Sequence, residues 1–127
     1  MSFGPIGSAP IGALPIFPTI QASIDSANWT GIETRLAADP GAVARVSELV
    51  SELHAELDRA GLTNYEKATA HSLTRALIAL VASPEPEWKV IALTLVTLFN
   101  SKAVTAACNA ITLSGLIGGA LKIIGVY

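Results

Sequence analysis

The sequence predicts an all-α chain: a small helical bundle of four to five helices with an extended, proline-rich N-terminal arm. Three observations predict it. Apolar residues recur three and four positions apart through the middle of the chain, the spacing of a helix with one buried face. Pairs suited to helix ends, Asp39-Pro40, Thr63 with Glu66 and Ser83-Pro84, punctuate that pattern. Four prolines in the first 24 residues keep the start of the chain out of regular structure. On this reading residues 1–24 are the arm and residues 25–127 one helical domain, acidic and amphipathic over 25–87 and apolar over 88–127.

The arm comes first. Pro5 to Thr19 reads PIGSA, PIGAL, PIFPT, three pentads that each open on Pro-Ile. Pro5, Pro10, Pro15 and Pro18 each lack a backbone donor and fix φ, which disfavours helix and confines any strand to an edge. Gly4-Pro5-Ile6-Gly7 and Ala9-Pro10-Ile11-Gly12 fit type I turns, with Pro second and Gly fourth. A pentad matches neither the alternation of a strand nor the threefold polyproline II helix, so each turn presents its own apolar side chain. Ile6, Ile11, Leu14, Ile16 and Phe17 are the candidate partner-binding anchors.

The helical elements follow. Asp25 or Ser26 caps a short helix through Trp29, Ile32 and Leu36, weakened by Gly31. Asp39-Pro40 is a cap followed by proline at the first helical position. From there Val43, Val46, Val50, Leu53 and Leu57 form one stripe, with Gly61 as the expected stop. Thr63 and Glu66 make a capping box for the next helix, with Tyr65, Thr69, Leu73, Ala76, Leu77 and Leu80 as its expected buried side. Ser83-Pro84 ends it, and the short link around Gly61 implies an antiparallel hairpin.

Glu85 and Glu87 suit the start of the last region, where WKVIALTLVTLF is apolar nearly all round and belongs in the centre. One helix from Pro86 to Lys122 would run roughly 55 Å, too long for a domain this small. A break is therefore expected near Asn100-Ser101 or at the glycines of SGLIGG. The expected core is Val43, Val46, Val50, Leu53, Leu73, Leu77, Leu80, Trp88, Ile91, Leu95 and Leu98.

Composition narrows function. The chain of 127 residues is 51% hydrophobic and 14% charged, against about 25% charged in average soluble domains. So little charged surface points to oligomer contacts, a partner or a membrane, and excludes wholesale disorder. No charged side chain precedes Asp25; all ten acids fall within 25–87, and Lys89, Lys102 and Lys122 leave the last third basic. No basic run is present, so nucleic acid is not an expected partner. Cys108 is the lone cysteine, which rules out an internal disulfide and a cysteine-based zinc site. No Lys or Arg precedes Arg35, which argues against a secretory signal and against use of the Asn28-Trp29-Thr30 triplet as a glycosylation acceptor. A cytoplasmic or virion-associated protein is expected, with membrane association as the alternative.

Residues that carry chemistry are sparse. His54 and His71 fall one on each helix of the hairpin, and Asp58 follows His54 by one turn, an arrangement able to orient a base. No nucleophile motif or paired-histidine metal spacing accompanies them, so both read as surface histidines. Gly115, Gly118 and Gly119 lack the spacing of a phosphate loop and read as sites of close packing. No catalytic residue, metal or cofactor is expected. Residues 103–121, nineteen uncharged residues between Lys102 and Lys122, approach the length of a membrane span, about 20 residues. Ala103 with Ala107, and Gly115 with Gly119, are small pairs suited to a helix-packing or oligomer seam. Thr105, Asn109, Thr112 and Ser114 dilute the hydrophobicity and favour the seam over the span.

Two stretches resemble known groups. PIGSAPIGAL is similar to the short repeats that begin some small phage and prophage proteins. PEWKVIALTLVTLFNSKAVTAACNAITLSGLIGG looks like the tail of small helical bacterial proteins associated with abortive infection. Both resemblances imply a bacterial or phage source, and neither supplies a catalytic residue. The expectation is a non-enzymatic assembly or interaction protein, a homo-oligomer or part of a larger assembly, that docks its arm on a neighbour. The alternative is a membrane-active effector or small defence protein that inserts its C-terminal helices, with Lys89, Lys102 and Lys122 at the interface.

Overall fold

A computed structural model of the chain describes residues 16–127, with side chains from Ile20 onward. The described residues are all-α, and they form seven helices rather than four or five: α1 (Ile16–Ser26), α2 (Trp29–Ala37), α3 (Pro40–Arg59), α4 (Asn64–Ala82), α5 (Trp88–Asn100), α6 (Lys102–Ala107) and α7 (Ala110–Ile124). Four of these are the bundle. α3 packs on α4, α4 on α5, α5 on α7 and α7 back on α3, a closed square. Val43 and Val81 line one groove at one end of it, and Ala70 and Leu98 line another at the opposite end, so α3, α4 and α5 alternate in direction. Gly119 of α7 lies against Leu49 of α3.

Local chemistry explains most boundaries. The Asp39 carboxylate accepts from Ala42 N at 3.1 Å, and Pro40 takes the first position of α3, where its missing N–H loses nothing. Thr63 and Glu66 complete their capping box at 3.2 and 3.0 Å. α3 stops differently from expectation. Its C-cap is Ala60 in extended conformation, and among the described residues only Gly125 has positive φ, so Gly61 does not end the helix by a left-handed turn.

The expected arm ends early. Residues 16–24 are helical, because Pro18 sits in the first turn of α1, where backbone N–H groups have no intrahelical acceptor. Ile20 and Ile24, one turn apart, bury the resulting face, and α1 packs on α5. The Trp29 indole N–H donates to Ile24 O at 2.9 Å and folds α2 back against the end of α1. Asn28, rather than Asp25 or Ser26, caps α2 by accepting from Gly31 N at 3.1 Å.

The apolar tail breaks twice. Ser101 ends α5 and caps α6, accepting from Val104 N at 3.3 Å. Asn109 ends the next interruption, accepting from Ile111 N and Thr112 N at 2.9 and 3.1 Å. The first break is where the sequence placed it. The second lies before the glycines, which continue inside α7.

Of the expected core, Val46, Val50, Leu53, Leu77, Trp88, Ile91, Leu95 and Leu98 are buried, while Val43, Leu73 and Leu80 pack partly buried against them. α4 is rotated from the expected face: Ala70, Thr74, Leu77 and Val81 point inward, and Tyr65, Thr69 and Ala76 are exposed. α7 adds Leu113, Ile117, Ala120, Leu121 and Ile124, all fully buried, making it the most deeply packed element beside α5.

Candidate functional site

Two grooves and one polar cluster stand out. The first groove, about 580 Å³, opens where α2, the start of α3 and the α4–α5 loop meet around Leu36 and Trp88. Glu33, Glu85 and Glu87 line it with no base among its lining residues, beside Pro40, Pro84 and Pro86. Its carboxylates gather there because Glu85 and Glu87 favour the N-terminal end of α5.

The second groove, about 570 Å³, runs between α4 and the α5–α6 junction at the opposite end of the bundle. Tyr65, Thr69 and Leu73 form one wall, and Thr97, Leu98 and Ala103 the other; Glu66 is the lone charged residue lining it. Ser101, which ends α5 and caps α6, lies in its lining. Tyr65 at its rim is 81% exposed. Ile111, in the first turn of α7, is 84% exposed. Neither was expected from the sequence; the rotation of α4 puts Tyr65 outside.

The polar cluster lies in the α3–α4 seam. His54 and His71 stack with ring centroids 4.3 Å apart and planes tilted by 31°. His54 Nδ1 lies 2.6 Å from Thr74 Oγ1, and Thr74 is fully buried. The histidines are therefore half-buried in the hairpin seam rather than free on its surface, and the carboxylate near a ring nitrogen belongs to the other pairing: Asp58 Oδ1 is 3.7 Å from His71 Nε2. Burial, then the neighbouring His54, with further contributions from Arg75 and Lys67, holds the His71 pKa below its ordinary value against the opposing pull of Asp58. Thr74 and His54 have the contact of a nucleophile and its base, but the hydroxyl is sealed from solvent and already lies 3.2 Å from the His71 carbonyl. Among the described residues no group of three or more His, Cys, Asp or Glu is placed to hold a metal ion. Burial, reinforced by Glu56, raises the Cys108 pKa, which keeps the thiol protonated and poorly nucleophilic.

Ile6, Ile11 and Leu14 lie outside the described residues, and Ile16 and Phe17 open α1 with side chains outside them too. The small-residue seam is divided: Ala103 and Ala107 are on α6, Gly115 and Gly119 on α7. Ala103 lines the second groove. A Cβ on Gly119 would lie 3.4 Å from Leu49 Cδ1, so that glycine serves close approach of α7 to α3, whereas Gly115 faces open space. Residues 103–121 are not one helix, and no helix among the described residues is long and apolar enough to cross a membrane.

No protein-family model matches the chain, and no curated protein or solved structure is similar to it at a significant level.

Proposed function

We propose that the chain is a non-enzymatic assembly protein whose second groove, between α4 and the α5–α6 junction, receives the uncharged N-terminal segment of a neighbouring copy. The observation that carries this reading is a match of chemistry: the groove has one charged residue, Glu66, in its lining, and the first 15 residues of the sequence have none. An apolar segment with prolines has few backbone donors to satisfy, so it suits a surface that offers side-chain contact rather than a strand edge. Ile6, Ile11 and Leu14 are the anchors assigned to the groove.

Solution mass by sedimentation tests it. The full chain is expected to form a defined oligomer, and both removal of residues 1–15 and Thr69→Arg in the groove are expected to yield monomers with unchanged helicity. Thr69 is exposed, so the arginine blocks the groove without entering the core. An unchanged mass in both variants overturns the proposal.

A further inference from the structure

We propose that the His54–His71 pair is an acid-triggered latch: when His71 takes up a proton, α4 loosens from α3 and moves a wall of the second groove. The latch stands whether or not that groove binds the N-terminal segment.

Hydrogen bonding fixes the neutral state. Thr74 Oγ1 lies 3.2 Å from the His71 carbonyl and 3.4 Å from the Ala70 carbonyl, each of which accepts only. The hydroxyl and His54 Nδ1 share a shorter contact, 2.6 Å, in which one donates and the other accepts. His54 stacks directly on His71 at 4.3 Å. His71 Nε2 is buried with no hydrogen-bond partner among the described residues. An imidazolium there carries donors on both nitrogens, and the Asp58 Oδ1 acceptor lies 3.7 Å from Nε2, beyond hydrogen-bond reach.

The charges around His71 oppose the proton. From α3 it faces His54 and Asp58, and from α4 it faces Lys67 and Arg75. Of these, His54, Arg75 and Lys67 disfavour an imidazolium at His71. Asp58 attracts it, but at 3.7 Å and with a side chain 65% exposed, where water screens the pair. Lys67 also donates to Asp58 O at 3.1 Å, which holds a competing cation beside the same residue.

The sign follows. With the His71 pKa lowered below 6.5 in the folded chain, the unfolded chain binds more protons as pH falls through about 6.5. Stability from the seam is complete above that pH and is lost as pH drops toward the folded value. The element that moves is α4, because Tyr65, Thr69 and Leu73 on it line the groove and Thr74 on it holds His54.

The experiment uses the full chain. Histidine ring resonances are titrated by NMR, and amide-exchange protection factors are compared at about pH 7.5 and about pH 5.5, either side of the ordinary histidine value. The expected result is a His71 midpoint below 6.5, with α4 amides losing protection relative to α7, roughly tenfold for each unit of depression. His71→Gln is expected to flatten that pH dependence, and Asp58→Asn to steepen it. A His71 midpoint at or above the ordinary value overturns the latch, as does an equal acid response in His71→Gln. The wild-type titration decides the matter even if a variant fails to fold.

Discussion

Arg35 reaches from α2 to the end of α7 and donates to the backbone carbonyls of Ile123, at 3.2 Å, and Ile124. These carbonyls belong to the last turn of a helix, where no intrahelical donor remains and the helix dipole places partial negative charge. A guanidinium satisfies both requirements at once. The contact joins the second helix to the seventh and lies beside the left-handed Gly125 that terminates α7.

Replacing Arg35 by Ala is expected to destabilise the chain by about 1–2 kcal/mol, the worth of charge-assisted hydrogen bonds at a helix terminus. Arg35→Lys should recover less than half, because an ammonium lacks the fork that serves two carbonyls. Urea denaturation of the three proteins measures both effects.

Gly125→Ala is expected to cost about 1–2 kcal/mol through its backbone, since φ is +106° there. The added Cβ also meets Arg35 Nη2 at 3.0 Å, so the same substitution should weaken the Arg35 contact. A double-mutant cycle with Arg35→Ala checks this: the two effects should sum to more than the double variant loses.

Gly115→Ala should raise stability by about 0.5–1 kcal/mol, because it sits in a helix with nothing near its Cβ position. Gly118→Ala should not show the full gain: its Cβ would lie 3.0 Å from Tyr127 Cε2 and must displace that ring, which stacks 5.7 Å from Lys122 Nζ. Thermal melts distinguish the pair. A change in solution mass with Gly115→Ala would place Gly115 inside a contact between copies.

Thr74→Val keeps the volume of a fully buried side chain and removes the hydrogen-bond partner of His54. A loss of about 1–2 kcal/mol is expected at neutral pH, with Thr74→Ser retaining most of the stability. Chemical denaturation measures it.

Ile117→Ala and Ile111→Ala remove the same atoms from one helix. Ile117 is fully buried and Ile111 is 84% exposed, so the first should cost about 2–5 kcal/mol and the second less than about 0.5 kcal/mol. Equal losses would mean that Ile111 is covered in solution, and a cross-linking or mass measurement would then identify the cover.

The parts of the fold that were legible are those set by neighbours in sequence. Asp39-Pro40 and Thr63 with Glu66 act within one turn, so their residue types suffice to locate two helix starts. Asn109 is a cap of the same kind and was equally legible, but the glycines beyond it drew the expected break. α4 was misoriented because it is apolar around so much of its circumference that periodicity does not choose a face. Its true inner face includes Thr74, whose hydroxyl is tolerated only because His54 and the backbone bond it. The stack of His54 on His71 had no local signature at all; it requires the register of α3 against α4. The grooves were hidden for the same reason, since their walls come from helices that meet only after folding.

The closed square of α3, α4, α5 and α7 has a consequence for synthesis. Its first three walls leave the ribosome in order, but α7, the helix that joins α5 back to α3, emerges after them. Until then the faces of α3 and α5 that α7 packs on, Leu49 among them, lie in an open trough, and the nascent chain carries exposed apolar surface of the kind that chaperones bind. Closing the square therefore waits on α7, and Arg35 on α2 is the clasp that receives it.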